Sequence, residues 1–228
     1  MISVFIPIRK NSKRIKNKSI KKIGKYKFGL TEIKIAQLTK LKKLLTKNKK
    51  NNVEFVVSTD CKEVKRYLKD FPWIKVHNRS KKLASDDCLD ELINEVTKIC
   101  IGDIILWTHV TSPCFDENNY EEFINNFIRA KKEKYDSAFS ANLINTFVMN
   151  QRFDWVSHNI KRKKWPRTQD LEKLYSVNSA AFIASRKVYL KYGNRLGMKP
   201  LPIKSNGFSG FDIDEVEDME FYKKKLMK

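Results

Sequence analysis

Ile2-Ser3-Val4-Phe5-Ile6-Pro7-Ile8-Arg9-Lys10-Asn11-Ser12-Lys13-Arg14-Ile15-Lys16-Asn17-Lys18-Ser19 is the stretch on which the reading of this chain turns. Its first seven residues form a nearly unbroken apolar run rich in branched and aromatic side chains. Such a run suits a strand buried on both faces, as in a parallel sheet. The run stops at Ile8 and gives way to a loop dense in Arg, Lys, Ser and Asn. At the carboxyl end of a strand, such a loop can wrap a triphosphate, with cations neutralising charge and backbone N–H groups and Ser12 donating hydrogen bonds. In so Lys-rich a chain it is equally readable as a solvated basic loop. It is neither G-x-x-x-x-G-K-[ST] nor G-x-G-x-x-G.

Outward from this stretch, strand-like and helix-like segments alternate. Residues 31–46 place Ile33, Ile35, Leu38, Leu41, Leu44 and Leu45 close to helical spacing. Residues 53–58 predict a second strand. Residues 61–69 predict a short helix capped by Thr59 or Asp60, and 73–77 a third strand. Helices are expected over 86–100, 116–132 and 215–226, and strands over 103–110, 136–141 and 175–184. In 116–132 the residues Tyr120, Phe123, Ile124, Phe127 and Ile128 make one apolar face. The alternation predicts an α/β fold, a doubly wound, mostly parallel sheet with helices on both faces. Ligands of such sheets bind beyond the carboxyl ends of the strands. The loops after Ile8, Ser58, Val110 and Ala141 are therefore where chemistry is sought. Residues 142–173 break the pattern: they are polar, basic and carry Trp155 and Trp165, as a small excursion packing on a second subunit would. A single domain over 1–228 is expected, with 142–173 as an arm within it.

Composition bounds the function. The 228 residues carry 47 Lys and Arg against 26 Asp and Glu, a net charge of +21, with 41% hydrophobic residues, enough for a packed core. The charge is spread along the chain and favours anionic ligands, nucleotides and nucleic acid included. No apolar run approaches the length of a membrane span, and the first residues lack the basic stretch of a signal peptide. Cys61, Cys88, Cys100 and Cys114 are scattered, with no C-x-x-C pair, and read as reduced thiols of a cytoplasmic protein.

Two further motifs carry chemistry. In Phe211-Asp212-Ile213-Asp214-Glu215-Val216-Glu217-Asp218, the D-x-D spacing puts Asp212 and Asp214 on one side of an extended segment. Two such carboxylates suit Mg²⁺, and the same run also suits an acidic helix N-terminus. Thr108-His109-Val110-Thr111-Ser112-Pro113 follows the fourth strand and offers polar groups to a base or ribose, or simply turns the chain into a helix.

Taken together, these segments resemble the acylneuraminate cytidylyltransferase family. That family opens on a strand and a pattern near I-P-A-R-x-x-S-K-x-I-x-x-K-N, standing here as Ile6-Pro7-Ile8-Arg9, Ser12-Lys13, Ile15 and Lys18. The resemblance continues through Val57-Ser58-Thr59-Asp60, Arg79, Leu83-Ala84-Ser85-Asp86, Thr111-Ser112-Pro113, Pro166-Arg167-Thr168-Gln169-Asp170, Val177-Asn178 and Asp212-Ile213-Asp214, in order over nearly the full length. Ile8 stands where Ala is usual, Ser19 where Asn is usual, and His109 where Gln is common.

The resemblance implies a Rossmann-like, Mg²⁺-dependent enzyme that joins CMP from CTP to an acidic nine-carbon sugar. It implies that Arg9, Ser12, Lys13 and Lys18 hold the CTP phosphates, with Asn11, Arg79, Asp86 and His109 lining the nucleotide pocket. Lys18, Arg9 and Asp214 would carry catalysis, and Asp212 and Asp214 the metal. Arg167, Gln169 and Asn178 would lie near the sugar, and 142–173 would be a dimerisation arm of a homodimer. Three other readings compete. The acceptor could be 3-deoxy-manno-octulosonate or another sugar, the chain could bind nucleotide without catalysis, or its charge could serve nucleic acid. The D-x-D segment disfavours the last.

Overall fold

The computed structural model describes residues 1–47, 52–85 and 88–226. The opening apolar run is strand β1 (Ile2–Ile8), followed by α1 (Gly29–Lys47), β2 (Val53–Thr59), α2 (Lys62–Tyr67), β3 (Ile74–Asn78), α3 (Leu89–Ile99), β4 (Ile104–Thr108), α4 (Glu117–Ala130) and β5 (Ser137–Ile144). The chain then continues through β6 (Leu174–Ser185), α5 (Arg186–Tyr192), β7 (Pro200–Lys204) and α6 (Val216–Leu226). The seven strands form one sheet in the order β3-β2-β1-β4-β6-β5-β7.

Strand alternation sorts the core into two layers. Ile2, Val4, Ile6 and Ile8 of β1 join Phe55 and Val57 of β2 against Ile33, Leu38 and Leu41 of α1 and Phe123 and Phe127 of α4. Phe5, Val56, Ile105 and Trp107 point to the opposite face, against Leu92, Ile93 and Val96 of α3 and Val188 and Tyr189 of α5. Residues one apart therefore serve different helices, which is the two-residue period of a strand buried on both faces. The doubly wound, mostly parallel sheet expected from the alternation is the observed architecture.

Two features depart from the sequence reading. First, α5 and β7 are additional elements, and β6 runs antiparallel to both its neighbours, β4 and β5. After β5 the chain stays at that strand's carboxyl end, through residues 145–173, so the next strand must return in the opposite direction. α5 then connects to β7, which runs parallel to β5 and brings Ser205 and the following loop back to the carboxyl end. Second, neither Thr59 nor Asp60 caps α2. Cys61 holds the N-cap position with no side-chain cap. Thr59 Oγ1 accepts instead from the Cys61 N–H at 3.1 Å, and Asp60 Oδ1 from the Lys10 N–H at 2.9 Å. Asp60 thus anchors the basic loop rather than a helix. All four cysteines are free thiols.

Candidate functional site

The basic loop after β1 is anchored, not merely solvated. Ile15 and Ile23 are buried in the core. Ser19 Oγ donates to the Arg9 carbonyl at 3.2 Å, and Thr31 returns two bonds to the Ser19 carbonyl, from N–H at 2.9 Å and Oγ1 at 2.8 Å. The loop closes onto α1 at Gly29, whose φ of +54° and lack of Cβ let it sit against the Lys21 carbonyl, which a side chain would overlap.

The loop meets the twin aspartates across 195 residues of chain. Lys18 is buried, and its Nζ donates to the Ile213 carbonyl at 2.8 Å and pairs with Asp214 Oδ1 at 3.3 Å. Arg14 bridges Asp214 Oδ1 at 3.0 Å and Glu215 Oε1 at 2.9 Å. On the other side, Ser112 Oγ donates to Asp212 Oδ1 at 3.2 Å and the Ile213 N–H donates to the Thr111 carbonyl at 2.8 Å. Ile213 itself is buried, so the D-x-D alternation does put both carboxylates on one side, with the isoleucine in the core. Burial, then the neighbouring Asp214 charge, push the Asp212 carboxyl above its ordinary pKa.

Arg14, Lys18, Thr111, Asp212 and Asp214 line a cleft of about 350 Å³ beyond the carboxyl ends of β1 and β4. The chain leaves β1 toward β2 on one side, and β4 returns on the other, so the cleft sits at the point where strand order reverses. Arg9, Ser12, Lys18, Arg79, His109, Asp212 and Asp214 all face it. Arg79 is buried with its guanidinium on Ser58, Nη2 donating to the carbonyl at 2.8 Å and Nε to Oγ at 3.2 Å. Burial lowers its pKa to about 10, against the pull of Asp60. His109 is held neutral: burial, then Arg195, lower its pKa to about 3. Its Nε2 accepts from Trp107 Nε1 at 3.0 Å, which leaves the ring proton on Nδ1. Four cations around one cleft with two carboxylates at its rim form an anion site with an acidic edge.

A second cavity, about 480 Å³, lies across Asp212 and Asp214 from the first. Ser179, Asp212 and Asp214 are common to both. Its floor is an amide network of Asn142 and Asn178 on the backbone of Gly210, where a Cβ would overlap Asn142 Oδ1 and press to 2.6 Å of Asn178 Nδ2. Behind the site, Lys34 is fully buried, with Nζ donating to the Ser112 carbonyl at 3.0 Å, the Phe115 carbonyl at 3.3 Å and Tyr120 Oη at 2.8 Å. Burial lowers its pKa to about 7.

Most of the residues expected from the sequence converge, and some stand apart. Asn11 and Lys13 are on the exposed side of the basic loop and do not line the cleft. Asp86 lies outside the described residues. Asn178 floors the second cavity, whereas Arg167 and Gln169 are exposed on the excursion and line neither cavity. Arg167 is paired with Asp170 at 3.0 Å. Ser112 stood within the Thr108–Pro113 motif, but it bonds Asp212; Arg14, Ser179 and Lys34 were not singled out in the sequence. Arg14 stood within the basic loop and was legible as one more cation, but a single Lys in an amphipathic helix and a lone Ser in a strand gave no local signal.

The comparisons with known proteins agree with this geometry. A family model described as cytidylyltransferase matches residues 3–224. No curated protein matches the sequence. Among solved structures, a CMP:2-keto-3-deoxy-manno-octonic acid synthetase complexed with CTP is similar with a TM-score of 0.66 at 16% identity, over 99% of this chain and 98% of that one. A 4-diphosphocytidyl-2C-methyl-D-erythritol synthase from Anaerococcus prevotii has a TM-score of 0.65 at 14% identity, over 100% and 98%. At these identities the likeness is one of fold.

Proposed function

The chain belongs to the cytidylyltransferase family, and we propose that it transfers CMP from CTP to the anomeric hydroxyl of a sialic-acid-like nonulosonic acid, releasing pyrophosphate. The observation that carries this reading is the closure of the basic loop on the D-x-D segment, with Lys18 Nζ 2.8 Å from the Ile213 carbonyl and 3.3 Å from Asp214. It places cations and carboxylates at one cleft, flanked by a second cavity for the acceptor.

In the proposed reaction the acceptor oxygen attacks the α-phosphate, the bond to the β-phosphate oxygen breaks, and the hydroxyl proton leaves. Arg9, Arg14, Lys18 and Arg79 neutralise the triphosphate, and Lys18, on the aspartate side, stabilises the charge that develops at the α-phosphate. Ser12 adds a neutral donor, and neutral His109 presents a fixed Nδ1–H to the nucleoside. Asp212 and Asp214 fit Mg²⁺: both are hard oxygen donors on one side of the segment, and burial raises the Asp212 carboxyl although Thr111, Ser112 and the Lys18 charge act against it. Bound there, the ion would withdraw charge from the phosphates.

The acceptor reading rests on the resemblance in motif order, with Asn178 in the acceptor cavity. Arg167 and Gln169, set on the arm, would reach the sugar of a second copy's site. The arm supports pairing of two copies: Phe153 is 80% exposed and Trp165 67%, beside a cluster of Phe147, Trp155 and His158. Among the described residues no helix is long and apolar enough to cross a membrane.

The test is pyrophosphate release with each of the four nucleoside triphosphates, a panel of acidic sugars, and Mg²⁺ or EDTA. We expect release only with CTP and a nine-carbon 2-keto acid, abolished by EDTA. Release only with an eight-carbon acid would move the acceptor, and no release with CTP would remove the reading. Light scattering should report twice the 26.9 kDa chain mass.

A further inference from the structure

Among the described residues four non-glycine positions have positive φ: Asn17, Lys134, Phe153 and Ser179. Three have ordinary explanations. Asn tolerates this region, Lys134 ends the turn after α4, and Phe153 sits in an exposed turn. Ser179, at φ +60°, lies inside a strand, where left-handed backbone is costly for any side chain.

The surrounding structure forces it there. The β5–β6 ladder pairs Phe139 with Phe182 and Ala141 with Val177, so residues 178–181 of β6 bulge opposite Ser140 alone. Asn178 locks the bulge. Its Oδ1 accepts from Ser140 Oγ at 2.6 Å and the Ala180 N–H at 3.2 Å, and its Nδ2 donates to Asn142 Oδ1 at 3.0 Å and Ser205 Oγ at 2.8 Å. Ser140 Oγ in turn accepts from the Ala181 N–H at 2.8 Å. The Asn178 amide therefore has both N–H groups committed to the protein and is 6% exposed. It holds the floor and has no donor left for a ligand.

Ser179 is the residue this bulge presents. It lines both cavities, a place shared only with Asp212 and Asp214 among the described residues. Its hydroxyl has no hydrogen bond within the protein among those residues. Resting on the cytidylyl-transfer reading above, we infer that Ser179 Oγ hydrogen-bonds the acceptor at the boundary of the two cavities and sets its attacking oxygen against the α-phosphate, while Asn178 positions Ser179. The strained bulge is kept because it delivers this hydroxyl between the nucleotide and the acceptor.

Ser179→Gly and Ser179→Ala separate the hydroxyl from the strain. Both remove the hydroxyl, but only glycine relieves the positive φ. Steady-state kinetics with each substrate varied, together with thermal melts, give the readout. We expect both variants to lose roughly tenfold in kcat/KM for the acceptor, the size of one substrate hydrogen bond. The KM for CTP should stay within about twofold, since the triphosphate contacts are untouched. Ser179→Gly should melt at or above the wild type. Wild-type kcat/KM for the acceptor in Ser179→Ala would overturn the role of Ser179 while leaving the proposed reaction intact. A wild-type chain that releases no pyrophosphate with any acceptor would overturn the reaction, and this role with it.

Discussion

Across β3, β2, β1 and β4 all strands run parallel with unbroken registers, Ile2 to Ile8 pairing with Val53 to Thr59 without a slip. Across β6, β5 and β7 directions are mixed, β6 antiparallel to β5 and β7 parallel to it, and the β5–β6 ladder breaks between Phe139 and Ala141. The regular half supports the first cleft, proposed for the nucleotide, where charge on a short anchored loop meets the strand ends. The irregular half supports the second cavity, proposed for the acceptor, built from a bulge, an amide network and a glycine contact. A phosphate site needs cations near one point and tolerates detail. A site for a polyhydroxy acceptor needs donors and acceptors at set positions, and irregular backbone supplies them.

The contrast breaks most directly at Lys18. Lys18→Ala removes the cation joining the two halves, and turnover should fall by about 100-fold or more, about 3 kcal/mol of transition-state stabilisation. Steady-state pyrophosphate release measures it, and an unchanged turnover would detach the basic loop from the chemistry. Gly210→Ala acts on the irregular half alone. Its Cβ would drive into the Asn142–Asn178 pair, costing roughly 1–3 kcal/mol of stability and weakening the acceptor, while calorimetric CTP affinity stays as in the wild type. Loss of CTP affinity would mean that the two halves are not separable.

Asp212→Asn sharpens the boundary with a smaller effect on stability. A carboxyl raised by burial adds stability below the ordinary carboxylate pKa, and that stability is lost as pH rises through its own higher value. Asparagine does not incur that loss. The variant should therefore melt a few degrees above the wild type at neutral pH, the gap closing as the buffer becomes acidic. A gap that widens in acid would reverse the sign of the shift. The same variant should be nearly inactive, since it surrenders one of the two carboxylates of the rim.

Legibility followed the same division. The strands β1 to β4 and helices α1 to α4 were readable because each buries a local periodic pattern. The loop from Arg9 to Lys18 was readable because its cations are adjacent in sequence. The pairing of Asp212 and Asp214 on one side followed from a two-residue spacing. β7 was missed because Pro200-Leu201-Pro202-Ile203-Lys204 has no strand-like alternation. α5 is only seven residues long and offers little periodicity to detect.

The sequence by itself determined which residue types were available for phosphate, metal and core, and the local elements that carry them, because those depend on neighbours a few positions away. Only the tertiary structure decided that Lys18 reaches the Ile213 carbonyl, that Lys34 braces the turn at Ser112, and that Ser179 stands between two cavities. Each of these contacts joins segments whose approach is set by strand order, the reversed β6 and the return through β7. Those are properties of how the whole chain packs, and no short stretch encodes them.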